Sequence, residues 1–423
     1  MFLVTFLVAV LTSFAAAKDY SGHKVIRVIP REESALHNLH GLAGEFDFWQ
    51  ESREVGSTAD IMVSAEDHPW LASELEERGY DVMTMIDDVQ PLFDLQKIPS
   101  TSASFDYDSY HNLDDINAWM TDFVAEYNEF AELEAFAKTY EGRSVNKIKL
   151  SSDLSDQSKP VFFIIGGTHA REWITPATMM YTAKFLVEQY DSSKRDNLLD
   201  IMEFHIVPVF NQDGYEYTWT NDRMWRKTRS PSSFRCDGTD PNRNFDCQWG
   251  TGGSSSSPCS DTYMGTKPAS EIKVSNLQNH ILSIKDRVKI FMDVHAYSQY
   301  WMYPYGYSTE LPEDNDDLVR NLKYVPGSIS YYIMVLPAVQ AIRATHGKWF
   351  QYGSIANVIY VASGSSVDWA YDVAGIKHSY ALELRDRGQY GFALPADQIQ
   401  PSAEEFFAGA EAMVRYLKIG NDL

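Results

Sequence analysis

The stretch VFFIIGGTHARE, residues 161–172, decides how this chain folds. Val161 to Ile165 carry no polar side chain, and a short apolar run closed by glycines reads as a strand buried on both faces. Gly166 and Gly167 allow a tight turn with close backbone approach. Past the turn, Pro176 stands in the opening turn of a helical pattern over 173–190, a position that needs no backbone N–H.

Working outward, apolar runs alternate with helical patterns. Strands are predicted at 203–210, 289–294 and 378–384, and helices at about 113–133, 268–286, 335–349 and 402–417. Buried strands flanked by helices predict one large α/β domain over 105–423. Its core is a central mixed, mostly parallel twisted sheet with helices on both faces. Ligand sites on such sheets lie beyond the strand C-termini.

Ahead of this domain, strand signals at 25–29, 60–63 and 80–86 mix with helical signals at 32–43 and 69–78. They predict a small α/β sandwich with an antiparallel sheet over 18–96. Residues 97–104 are small and polar with one Pro, a linker signal. Residues 1–17 are an apolar run ended by Ala15, Ala16 and Ala17, which reads as a secretory signal peptide; the alternative is an N-terminal membrane anchor. No other stretch is long and apolar enough to cross a bilayer.

The 423 residues are 44% hydrophobic and 22% charged, an ordinary globular composition. A net charge of -23 argues against nucleic acid as a partner, since gripping phosphate backbones needs a basic face. Of the three cysteines, Cys236, Cys247 and Cys259, two can pair in an oxidising compartment and one is left over.

Chemistry gathers at strand ends. His169 and Glu172, three apart on the turn after 161–165, can grip one metal ion. A catalytic zinc site wants a third protein ligand, and His295, just past the strand 289–294, is the candidate. The bland reading is that His-x-x-Glu occurs by chance. In 378–384, alternation puts Ser379, Ala381 and Glu383 on one face. A buried Glu383 needs work or a partner; the alternative is an ion pair with Arg385 or Arg387. Two runs, Met224–Arg229 and Asp240–Asn244, are rich in Arg and Asn in an acidic chain. They can hold a carboxylate by charge-assisted bonds, or simply be solvated loops.

Taken together, HAREWI at 169–174, WRKTR at 225–229, NRN at 242–244, HAYSQ at 295–299, YVASG at 360–364 and ELRD at 383–386 resemble the zinc metallocarboxypeptidases of the carboxypeptidase A/B type. The resemblance covers nearly the whole chain, with 18–96 similar to their activation segment. It implies one Zn²⁺ held by His169, Glu172 and His295, with Glu383 as general base then acid. It implies that Arg226 polarises the scissile carbonyl, and that Asn242, Arg243 and Tyr360 clamp the terminal carboxylate. Arg171 and Tyr297 would line the next subsites, and Asp240 would orient His169. Val367 matches a pocket-floor position that is acidic in enzymes preferring Lys or Arg. With Ala381 also lining that pocket, it implies a hydrophobic or aromatic terminal residue.

The resemblance further implies a Cys236–Cys259 disulfide with Cys247 unpaired, and a secreted zymogen that acts as a monomer on peptide or protein C-termini. Cleavage by an activating protease would fall in 97–104, where Lys97 is the one basic residue. Arg387 and Ser365 depart from the family pattern, and the stretch between Gly306 and Tyr360 is longer than that pattern. The surplus, near 324–336, is either an insertion or translated intron sequence. The runner-up reading is a catalytically silent relative that binds peptide C-termini.

Overall fold

The computed structural model describes residues 17–42, 46–98, 105–194, 196–232, 236–313 and 335–420. The signal-like run, most of the linker and most of the apolar surplus at 324–336 therefore lie outside the described residues.

The N-terminal unit is a four-stranded antiparallel sheet in the order β2-β3-β1-β4. Its strands are β1 Lys24–Ile29, β2 Asp47–Gln50, β3 Ala59–Val63 and β4 Asp81–Ile86. Helices α1 Glu33–Gly41 and α2 His68–Glu77 belong to the same unit. Ile26, Val28, Leu39, Ile61, Leu71 and Leu75 form its own core. A third helix, α3 Gln90–Gln96, was not read from the sequence. Its seven residues are too few to show a period, and its start has Pro91 but no side-chain cap.

The large domain carries an eight-stranded sheet in the order β11-β10-β12-β9-β7-β8-β6-β5. These strands are β5 Ala131–Lys138, β6 Ser144–Leu150, β7 Val161–Gly166, β8 Glu203–Val207, β9 Val288–His295, β10 Tyr300–Tyr303, β11 Gln351–Ser354 and β12 His378–Glu383. β12, β9, β7 and β8 run parallel in the centre, while β5 with β6, β6 with β8, and β10 with β12 are antiparallel. Every residue of β7 and β8 is buried, as a central strand covered on both faces demands. Burying each large apolar side chain there contributes about 1.5–3 kcal/mol.

Helices α4 Leu113–Glu126, α5 Ile174–Glu188, α6 Leu198–Ile201, α7 Gln212–Thr220, α8 Ile272–Ile284, α9 Val335–His346, α10 Ile355–Val358, α11 Ser366–Asp372 and α12 Ile399–Gly420 complete the domain. The helix predicted over 113–133 is α4 alone. It opens on Asn112, whose side chain accepts from Asp115 N, and stops at Tyr127. The chain then turns and enters β5, an edge strand whose alternation had been absorbed into the helical pattern.

Gly166 and Gly167 do what the sequence reading asked of them. A Cβ on Gly166 would sit 2.8 Å from Met179 Cγ, and Gly167 has a φ of 63° with Val209 Cα 3.1 Å from its Cβ position. The turn from β7 into α5 therefore fits only without side chains.

The N-terminal unit packs directly on the β-strand ends of the large domain. Tyr20 donates to Asp222 at 2.5 Å, Trp49 lies 5.2 Å from Phe392, and Tyr297 donates to Asp60 Oδ2 at 3.0 Å. Gln96 donates to the carbonyls of Phe392 and Leu394 and accepts from Arg223, a buried guanidinium stacked 3.9 Å over Trp173. Cys236 and Cys259 are bonded, and Cys247 is a buried free thiol, its pKa pushed up by burial. Among the described residues no helix is long and apolar enough to cross a membrane.

Candidate metal centre

Strands β7 and β9 are parallel neighbours, with Gly166 opposite Val294. The register brings the turn after β7 against the last residue of β9. His169, Glu172 and His295 meet there, all nearly inaccessible to solvent. His169 Nδ1 lies 2.7 Å from Glu172 Oε1, and His295 Nδ1 lies 3.1 Å from His169 Nδ1 and 3.2 Å from Glu172 Oε2. Their donor atoms all fall within 4.8 Å of one another.

The outer nitrogens explain the inner ones. His169 Nε2 is 3.2 Å from Asp240 Oδ1, and His295 Nε2 is 3.2 Å from Asp293 Oδ2. A carboxylate beside Nε2 favours the proton there and turns the Nδ1 lone pair inward. Asn242 Nδ2 also lies 3.3 Å from His295 Nε2. It is a neutral amide and lies slightly farther from the ring than the charged Asp293. Two imidazole lone pairs and a carboxylate then face one another, with the Ala296 N–H at 3.2 Å as the donor among them. Buried acceptors so arranged call for a cation. Two imidazoles, one carboxylate and an open side are the donor set of a catalytic zinc site.

Asp240 binds several groups at once. Its Oδ2 accepts from Arg226 Nη2 at 2.8 Å, and Arg243 Nη1 stands 3.9 Å away. Burial alone would raise its pKa, but Arg226, His169 and Arg243 hold it well below the usual carboxylate range. Arg226 in turn keeps its charge despite burial, chiefly through Asp240, and its Nη1 reaches to 4.0 Å from Glu172 Oε1.

Glu383 ends β12, paired in register with His295 of β9 and with Tyr300 of β10. Its Oε2 finds no hydrogen bond among the described residues. Burial pushes its carboxyl well above the usual range, against the pull of His295 and Arg226. The ion pair with Arg385 weighed from the sequence does not form: Arg385 grips Glu405 at 2.6 and 2.7 Å. Arg387, the other candidate, meets Arg27 of the N-terminal unit through its carbonyl.

The remaining sequence-selected residues surround this centre. Asn242 Oδ1 accepts from Ser366 N at 2.9 Å, and Arg243 Nη2 stands 3.4 Å from the Tyr360 hydroxyl. Val367 is buried in α11 and packs in one cluster with Ala381 and Met302. Ser365, a departure from the family pattern, caps α11 by accepting from Asp368 N. Arg171 is held by Asp47 of β2 at 2.9 Å and by Asp261 at 3.3 Å. A cavity of about 600 Å³ remains between the two units, lined by Asp47, Trp49, Arg171, Arg226 and Tyr360 among others. Sequence reasoning missed Asp293, Thr168 and Ser366. The signal was present for Asp293, since it lies two residues before His295 on one strand and hence on the same face.

Residues 116–409 match the zinc carboxypeptidase family, and residues 26–96 match the carboxypeptidase activation peptide. Carboxypeptidase B of Astacus astacus is 42% identical over 315 residues, covering 74% of this chain and 98% of that relative. Carboxypeptidase A2 of Rattus norvegicus is 37% identical and covers 99% of both chains. Among solved structures, thrombin activatable fibrinolysis inhibitor superposes with a TM-score of 0.82 at 31% identity, covering 94% of this chain and 98% of its own. Carboxypeptidase A from Helicoverpa armigera gives 0.82 at 27% identity, with 96% and 99% covered.

Proposed function

The chain belongs to the zinc carboxypeptidase family, and on that premise we propose that it is a secreted precursor whose mature form removes an apolar or aromatic residue from the C-terminus of peptides. Membership makes it a metallocarboxypeptidase hydrolase that takes zinc and carries an activation peptide. The observation that carries the rest is the convergence of His169, Glu172 and His295 beside a half-buried Glu383, one of whose oxygens is shielded and unpaired.

Zinc, when bound by His169, Glu172 and His295, supplies Lewis acidity at the scissile carbonyl. The chain does the remainder. As a carboxylate, Glu383 takes a proton from the attacking water, and as the resulting acid it returns that proton to the departing amine. Arg226, fixed by Asp240, meets the charge that grows on the carbonyl oxygen. Asn242, Arg243 and Tyr360 hold the terminal carboxylate, so a chain interior, which has none, is refused. Asp240 keeps the first imidazole in its tautomer.

Val367 supports an apolar preference. Asp368, the nearest acid in sequence, spends its carboxylate on the N–H groups of Gly306 and Tyr307 at 3.0 and 3.1 Å. It is therefore not offered as a counter-charge to a basic side chain. The names of the relatives point both ways, since one is a carboxypeptidase B and another a carboxypeptidase A2. In the precursor, Asp47 and Asp60 of the activation peptide occupy Arg171 and Tyr297. The proposal includes removal of residues 1–17, cleavage within 97–104 and a monomeric mature form.

The test is hydrolysis by the activated chain of blocked peptides ending in Phe, Leu, Lys or Asp, with and without a zinc chelator. Chelator-sensitive release of Phe and Leu is expected. Preferred release of Lys would overturn the specificity, and no release of any residue would favour the silent peptide-binding relative.

A further inference from the structure

We propose that Asp293 is a positioning residue for the metal ligand His295, a second carboxylate doing for that imidazole what Asp240 does for His169. The inference rests on the zinc reading above and assigns a role to a side chain outside the set of residues the motifs pick out.

Asp293 is fully buried in an otherwise apolar stretch of β9. A carboxylate in that position is costly unless each oxygen is engaged. Oδ1 accepts from Thr168 Oγ1 at 2.8 Å, and Oδ2 accepts from Ser366 Oγ at 2.6 Å. Oδ2 also stands 3.2 Å from His295 Nε2. Three separate elements thus hold one carboxylate: the turn that carries His169, the first residue of α11, and β9 itself. Thr168 is the residue next to His169, and Ser366 is the residue next to Val367. The Ser366 N–H donates to Asn242, whose amide nitrogen lies 3.3 Å from the same His295 Nε2. Asp293 is therefore fixed from two sides before any metal arrives, and it fixes the ring plane and tautomer of His295 in turn. A carboxylate behind a ligating imidazole raises the basicity of the ligating nitrogen, and losing such a partner typically costs about 10–100-fold in metal affinity.

Asp293→Asn keeps the size and one acceptor and removes the charge. Thr168→Val removes one of the two hydroxyl anchors without touching a ligand. Each is made in the full chain, stripped of metal, and titrated with zinc against a chromophoric chelator. Unfolding temperature is measured on the metal-free form, and the visible spectrum on the cobalt-loaded form.

The expected result is zinc affinity lower by about 10–100-fold in Asp293→Asn, with a shifted cobalt spectrum and an unchanged metal-free unfolding temperature. Thr168→Val should lose a few-fold in the same direction, and it decides the matter if Asp293→Asn does not fold. Wild-type affinity in both variants overturns the proposal while leaving the zinc reading intact. So does a loss of affinity matched by an equal loss of metal-free stability, which would make Asp293 a packing residue. A wild-type chain that takes up no zinc overturns both readings together.

Discussion

Asp240 offers two oxygens to one imidazole and two guanidinium groups, and Glu383 offers one oxygen to nothing. That contrast separates the buried Asp240 from the half-buried Glu383 by environment. The first is held ionised by its partners, and the second is held towards its neutral form by burial. A raised carboxyl pKa favours returning a proton, while accepting one first needs the ionised form, which a cation held by His169, Glu172 and His295 would favour. Glu383→Gln keeps size and burial and removes the base. Hydrolysis is expected to fall by about 10²–10⁴-fold while zinc uptake stays at the wild-type level, checked by metal analysis beside steady-state kinetics. At this scale the metal-ligand group was legible because each of its members sits in a multi-residue motif. His169 and Glu172 share one such motif, and His295 opens another. Asp293 was read only as part of a strand, although its place two residues before His295 puts both side chains on one face.

Strands and helices show where local reading succeeds and where tertiary context overrides it. Fully apolar runs such as β7 declared themselves, because only a doubly covered central strand has that composition. β5 did not, because an edge strand half open to solvent alternates in a way that blends with the end of α4. β6 and β8 bring a second consequence together. His205 of β8 sits between Glu203 and Lys147, with Glu134 and the His280 ring of α8 nearby. Burial lowers both His205 and His280 to about 4. In the unfolded chain they titrate near about 6.5. Between those values the unfolded state binds more protons, so their contribution is full above about 6.5 and is lost as pH falls towards about 4. His280 Nε2 has no hydrogen-bond partner among the described residues, and its ring packs on Phe136 and Phe163. His280→Leu should therefore flatten the fall of unfolding temperature between pH 6.5 and 4.5. An unchanged slope would show that His280 is not held neutral.

For the whole molecule, the N-terminal unit and the large domain share polar contacts that neither could satisfy alone. Arg223 is buried and donates two of its hydrogen bonds to the Gln96 side-chain oxygen, at the last turn before the linker. Removing such a partner leaves a buried cation short of acceptors, a loss of about 1.5–3 kcal/mol. Gln96→Ala in the full chain should speed amide exchange across residues 90–98 by about tenfold or more. Exchange at the wild-type rate would mean that apolar packing of Phe93 alone docks α3. The antiparallel and mixed sheets were legible in advance, and the Cys236–Cys259 pairing followed from the family resemblance rather than from the cysteine spacing. The docking of one unit on the other was not, since Asp47, Asp60 and Gln96 are ordinary surface residues until a partner surface covers them.

The account depends on one ion gathering residues more than 120 positions apart in sequence. Equilibrium zinc titration of the metal-free chain, beside His295→Ala, tests that directly. One zinc per wild-type chain and a loss of high-affinity binding in the variant are expected. Equal stoichiometry and affinity in the two proteins, or no zinc uptake by the wild type, would contradict it.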